Sequence, residues 1–380
     1  MLFFDYVQSY LEEKMHKRGL ILVLVALLLG SVAGTSAQDD LIPVRLQLQW
    51  VAQSQFAGYF AALDKGFYKD MGLDVTILEG AVEIVPQQVV ASGGAEFGIA
   101  WVPKVLESNE QGVNLVNIAQ IFQRSGTLEV SFVDSGIESV ADFRGRNIGT
   151  WGFGNEHELY AAMRLNGIDP DNPDDVTIVQ QPFDMSLLLN GDVDAAEAMT
   201  YNEYAQVLEQ TNPSTGDLYQ PSDLNVIDFN EVGTAMLQDH IFTNADWLAE
   251  DGNEDVATKF IAASMEGWIY CRDNFDDCVN IVLDHGTTLG ESHQRWQLNE
   301  INALIWPSPD GIGIMNPDLW AQTVDVATEG GVITEAPPDT AYRTDLAQAA
   351  LDMLTGMDST MDVTGEDWQR IEVELAPGGE

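Results

Sequence analysis

From residue 44 onward, runs of alternating apolar and polar side chains take turns with runs spaced as a helix requires. VRLQLQW (44–50) alternates with the period of two that a half-buried strand needs. QFAGYFAALDKGFY (55–68) carries its apolar residues at helical spacing and is interrupted at Gly66. LDVTILEG (73–80) predicts a strand, EIVPQQVVASGG (83–94) a helix with a glycine exit, EFGIAW (96–101) a strand and residues 102–111 a helix. Strands follow over 114–121 and 127–133. A second unit of the same rhythm opens at IESVADFRG (137–145). It has the strand NIGTW (147–151), a helix from about Glu156 to Asn166, the strand VTIVQQ (176–181), MSLLLNGDVDAAEAM (185–199) ending in a strand, and a helix over 202–209. LNVIDF (224–229) and TAMLQDHIFT (234–243) read as strands, and helical spacing fills 253–272, 276–284, 291–304, 316–328 and 342–355. This alternation predicts an α/β fold with mainly parallel sheets and helices on both faces.

The spacing places two passages between halves, near 133–136 and near 229–235. Lobe one would then combine 42–133 with 235–375, lobe two would be 134–234, and two crossovers would make a hinge around a closable cleft. Ahead of the first strand, Lys14, Lys17 and Arg18 precede the apolar run GLILVLVALLLGSV (19–32), and Thr35-Ser36-Ala37 follow. That is the layout of a signal peptide over 1–37, cleaved near Ala37, with Met15 as an alternative start to Met1. An uncleaved anchor is the other reading, and it would be the chain's one tie to a membrane. No cysteine stands at the cleavage position to carry a lipid.

Composition narrows the partners. Sixty-one acidic residues against sixteen basic ones give a net charge of −45, which repels nucleic acid and anionic headgroups and suits a salty or extracellular medium. The two cysteines, Cys271 and Cys278, either staple a helix corner as a disulfide or sit as two small buried thiols; with no histidine at ligand spacing they make a poor metal cage. Phosphate-loop, HExxH, GxSxG and CxxC motifs are all missing from the sequence.

The candidate site is aromatic and amide-rich. Trp50, Trp101 and Trp151 each end a predicted strand and Tyr201 follows another, and ligands of open parallel sheets sit beyond the carboxyl ends of the strands. Phe56 belongs to the same group. Gln53, Gln55, Asn155, Thr200 and Asn202 could read the edges of a flat ring. Gly152 and Gly154 open a helix after a strand, which suits either an anionic ligand group at free N–H donors or plain turn chemistry.

LQLQWVAQSQFAGYFAALDKGFYKDMGLDVTILEG, QQVVASGGAEFGIAWVPKVLES, ESVADFRGRNIGTWG and LLLNGDVDAAEAMTYNEYAQVLE resemble one family of binding proteins over roughly 42–300. That family includes thiamine-pyrimidine synthases and receptors for thiamine precursors, riboflavin, alkylsulfonates, nitrate and taurine. The resemblance implies a type II periplasmic-binding-protein fold. It also implies the role of an extracytoplasmic, monomeric substrate-binding protein of an ABC importer, which needs no cofactor and delivers its ligand to a membrane permease. The synthase branch implies a cofactor-holding lysine at position 100, a donor histidine at 104 and a cysteine-rich iron cluster within 233–243. This chain has Ala100, Lys104 and no cysteine there. Only thirteen basic residues follow Ala37, too few for the positively charged cleft that a sulfonate or nitrate receptor needs, and the tryptophan-rich cleft points to an aromatic heterocycle: a pyrimidine precursor of thiamine, or riboflavin.

Overall fold

The computed structural model describes residues 41–378 apart from 287 and 289; the signal-like segment lies outside the described residues. Among the described residues ten strands form two five-stranded sheets. The first runs β2 (Leu73–Leu78), β1 (Ile42–Gln47), β3 (Phe97–Ala100), β10 (His240–Asn244), β4 (Leu115–Gln120). The second runs β7 (Thr177–Gln180), β6 (Asn147–Thr150), β8 (Ala195–Met199), β5 (Thr127–Phe132), β9 (Leu224–Asp228). Each sheet contains one strand running against the rest: β10 pairs antiparallel with β3 and β4, and β5 with β8 and β9. These two odd strands are the first that the chain lays down after each passage between the sheets, which is why a mainly parallel pattern carries one reversal per sheet.

The first passage differs from the expected one. It occupies residues 121–126, and β5 is hydrogen-bonded within the second sheet, so 127–133 does not belong with the first. Ile121 and Phe122 are buried and prolong the apolar text of β4, which hides the crossing, whereas the turn-forming VDSG at 133–136 is only a short 3₁₀ turn ending at a left-handed Gly136. On the return, Gly233 caps the preceding turn in the left-handed region and β10 begins at His240; residues 234–239, six positions of the expected 234–243 run, are not paired as strand.

Helices of eight or more residues are numbered α1 (Ala57–Asp64), α2 (Val102–Glu110), α3 (His157–Leu165), α4 (Asn253–Asp273), α5 (Phe275–Asp284), α6 (Glu291–Ile305), α7 (Pro317–Glu329) and α8 (Thr344–Met357). Their ends follow local chemistry. At α7, Asn316 accepts the N–H groups of Asp318 and Leu319 and Pro317 fills the first position, whose N–H would be unpaired in any case. At α4, Glu254 and Asp255 occupy the first turn and Arg272 the last, matching the helix dipole. Among the described residues no helix is long and apolar enough to cross a membrane.

The largest core cluster joins β1, β3 and β4 to α1, α4 and α5, and it reaches Trp151, Met199 and Tyr201 of the second sheet. Helix α6 ties the two sheets together. Its Gln294 and Gln297 accept the N–H groups of Ser54 and Gln55, while Trp296 Nε1 donates to the Thr200 carbonyl and His293 contacts both Glu209 and Asn202.

Cys271 and Cys278 are joined as a disulfide that fixes the corner between α4 and α5, with both residues fully buried. Closing so short a loop is worth roughly 2–3 kcal/mol in the chain-entropy account. Alkylation of the unfolded, unreduced protein is expected to label neither cysteine, and reduction first should expose both and lower the melting temperature. Two labelled thiols without reductant would contradict the bond.

Candidate ligand-binding site

The carboxyl ends of β1, β3, β6 and β8 meet around one cavity of about 390 Å³, within the range of roughly 300–1,000 Å³ usual for small-molecule sites. Trp50, Gln53, Gln55, Trp101, Trp151, Asn155 and Tyr201 all line it. Three of the expected residues do not. Phe56 closes a 3₁₀ turn over Ser54–Phe56 and is fully buried in the main core. Thr200 offers its carbonyl to Trp296 and its N–H to the Gly126 carbonyl, and its hydroxyl is buried without a hydrogen-bond partner outside the lining. Gly152 stands outside the lining, and its N–H points back to Thr150 Oγ1 at 3.4 Å.

The loop after β6 decides between the two readings of its glycines. Gly152, Phe153 and Gly154 take left-handed φ angles of 71°, 58° and 83° in succession, a curl that glycine permits and a side chain resists. Its donors are used internally: Gly154 N–H goes to the Glu156 carboxylate at 2.9 Å, and Asn155 donates to the Gly152 carbonyl through both its N–H and its Nδ2. This is turn chemistry, not an open anion cradle. The curl pushes Phe153, 71% exposed, to the mouth of the cavity, a conformation that costs on the order of 1–2 kcal/mol for a non-glycine residue.

Aromatic rings from both sheets face each other. Trp101 is 8% exposed and starts α2. Phe183, three residues past β7, sits 4.9 Å from the Trp50 ring and stacks on Trp151 at 6.1 Å, bridging the two walls. Phe183, Phe153 and the segment Ala81–Gln88 after β2 were not expected at the site, although the strand-end rule applied to β7 and β2 points at two of them.

Amides and buried charges set the polar edge. Asp239, at the start of β10, is buried and accepts from Gln49 Nε2 at 2.5 Å and Gln55 Nε2 at 3.0 Å; Gln53 Nε2 in turn donates to Gln55 Oε1 at 2.8 Å. Burial raises the Asp239 carboxyl to about 7, against the pull of these donors, of Lys104, and of the Trp101 N–H, which lies outside hydrogen-bond geometry. Glu197 on β8 accepts from Thr150 Oγ1 and the Trp151 N–H, and burial raises it to about 7. Directly opposite it on β5 stands Glu129, whose carboxyl burial and the Glu197 charge push well up. Glu158, on α3, holds Ser125 Oγ and the Met236 N–H and is raised by burial to about 8. Lys104 also lines the cavity; burial lowers its ammonium to about 8.

A family model described as NMT1/THI5 like matches residues 53–277. The chain belongs to the NMT1/THI5-like family. Among relatives, the formylaminopyrimidine-binding protein of Halalkalibacterium halodurans is 25% identical over 267 residues, 69% of this chain and 77% of that protein. The riboflavin-binding protein RibY of Chloroflexus aurantiacus is 25% identical over 321 residues, 80% of this chain and 85% of RibY. The periplasmic aliphatic sulphonate-binding protein SsuA of Escherichia coli has the same fold, at a TM-score of 0.57 and 14% identity over 89% of this chain and 97% of SsuA. The fold is that of the periplasmic binding proteins, two α/β sheets with two crossings between them. In this NMT1/THI5-like chain Ala100 ends β3 at the cavity wall, and its methyl group offers no amine for a Schiff base.

Two predictions come from this geometry. The folded forms of Asp239, Glu197 and Glu158 hold protons that an unfolded chain releases near pH 4. Their stabilising contribution is therefore complete below about pH 4 and is lost as pH rises through about 7 for Asp239 and Glu197 and about 8 for Glu158. Glu197→Gln, which keeps the acceptor without a proton to lose, should flatten the fall in melting temperature between about pH 5 and about pH 8 and should melt above the wild type at the upper end; parallel curves would contradict the assignment. Trp50 is only partly buried, so Trp50→Ala should weaken ligand binding about ten- to a hundredfold with a nearly unchanged melt. A lowered melt with unchanged affinity would make Trp50 structural only.

Proposed function

We propose that this chain is the extracytoplasmic substrate-binding protein of an ABC importer, and that it captures one small aromatic heterocycle, a thiamine pyrimidine precursor or riboflavin. It works as a monomer, passes the ligand unchanged to a membrane permease, and carries out no catalysis. The observation that carries this reading is the facing of Trp50 and Trp101 from the first sheet by Trp151 and Phe183 from the second, around a cavity rimmed by amides. Flat rings gain from such walls about 0.5–1.5 kcal/mol per contact beyond burial. The two crossings at 121–126 and 233–239 serve as the hinge that lets the walls close.

Localisation outside the cytoplasm is supported by the signal-like pattern ending at Ala37 and by the periplasmic sulphonate receptor of the same fold. The alternative, a thiamine pyrimidine synthase-like enzyme, is opposed by Ala100 and Lys104, which stand where that branch has its cofactor lysine and donor histidine. A sulfonate or nitrate receptor is opposed by a lining in which, among the described residues, Lys104 is the one basic residue.

Calorimetric titration with formylaminopyrimidine, riboflavin and taurine tests the reading. One heterocycle should bind one to one, and at a hundred times its Kd it should stabilise the fold by about 2.7 kcal/mol. Binding of taurine with neither heterocycle bound would contradict it.

A further inference from the structure

Lys104 is an anomaly in a chain so short of positive charge. It rises from the first turn of α2, its stem lying against Gly154 of the β6–α3 loop, and it reaches across from one sheet's helices to the other's. Its Nζ donates to Asn155 Oδ1 at 2.8 Å and sits 4.8 Å above the Trp101 ring. An ammonium has three donors, and Asn155 occupies one. Four carboxylates, Glu197, Glu156, Asp239 and Glu107, act on it through space, but among the described residues none comes within the 4.0 Å of an ion pair. The nearby acids are mostly engaged elsewhere. Asp239 is held by Gln49 and Gln55, one oxygen of Glu197 by Thr150 and Trp151 while its other oxygen is buried without a partner, Glu156 by the Gly154 N–H, and Glu107 lines the cavity from the exposed side of α2 and accepts from Gln111. A desolvated ammonium with spare donors that faces a cavity is costly unless the occupant completes its shell.

We propose that Lys104 is a specificity-determining residue that accepts ligands presenting a carbonyl oxygen at its end of the cavity and rejects otherwise identical ligands presenting an ammonium there. This rests on the heterocycle reading above and names what that heterocycle must carry: a formyl, amide or ring carbonyl beside the ring face, held by Lys104 with Asn155 as its aligning partner. Trp101, beneath the ammonium, positions donor and ring together. The free amine of an aminomethyl-pyrimidine would place two like charges in a poorly solvated space, and repulsion at such distances disfavours the complex strongly.

Formylaminopyrimidine and its deformylated amine differ in that one feature and serve as probes, with riboflavin as an independent carbonyl-bearing heterocycle. By calorimetry, the wild type should prefer the formyl probe over the amine by at least about tenfold. Lys104→Met should lose about ten- to a hundredfold in affinity for the formyl probe and leave the amine unchanged or improved, so the preference collapses. Lys104→Gln, which keeps a neutral donor at similar reach and guards against a misfolded methionine variant, should keep most of the formyl affinity and gain on the amine. A preference that survives unchanged in a folded variant, or a wild type that prefers the amine because the cavity acids dominate, would overturn the Lys104 assignment while leaving the heterocycle reading standing. Failure of all three probes to bind the wild type would overturn the heterocycle reading and this assignment with it.

Discussion

A carboxylate taken out of water must be given donors, and in this protein that requirement organises the cleft. Asp239 stands at the start of the return strand β10, fully buried, and its two donors are Gln49 and Gln55, both beyond the end of β1. Two long amide side chains are thereby fixed in direction, and Gln53 is fixed through Gln55. Flexible glutamines are poor recognition groups because ordering each one costs side-chain entropy. Tethered to a buried acid, they are already ordered before a ligand arrives, which is the physical basis of preorganised binding.

Above that polar floor the walls are rings. They come from separate sheets, so their spacing depends on how the two sheets are held, and α6 supplies part of that holding by contacting Ser54 and Gln55 on one side and Thr200, Asn202 and Glu209 on the other. The same helix therefore sets both the amide row and the turn that carries Tyr201. The outer surface follows a different logic. Its large negative charge favours solubility and repels polyanions, whereas the cavity lining has a single lysine and two acids, Glu107 and Glu203, among aromatic and amide groups.

Much of the fold was legible because period-two and period-3.6 runs alternate cleanly. The ends of α4, α5, α6 and α7 fall within one residue of where the apolar spacing puts them. The lobe boundary was not legible, since the buried Ile121 and Phe122 continue the apolar text of β4 straight through the crossing. At the site, the strand-end rule found Trp50, Trp101, Trp151 and Tyr201, for the reason that backbone topology alone delivers those positions to one edge. It could not find Asp239, which reaches the same edge only because β10 runs backwards, nor tell that Gly152 and Gly154 serve the curl of their own loop. Phe56 and Thr200 stand outside the lining for a simpler cause: each adjoins a lining residue, and sequence adjacency does not say which neighbour faces the cavity.

The account's central claim is that a flat ring lies between the walls of the two sheets with its polar edge toward the amide row. A crystal structure of the protein saturated with formylaminopyrimidine or riboflavin tests that most directly. The account predicts one ring enclosed by Trp50, Trp101, Trp151 and Phe183, with polar atoms within hydrogen-bond distance of Gln53, Gln55 or Lys104. A heterocycle bound elsewhere on the surface, with this cavity empty, would contradict it.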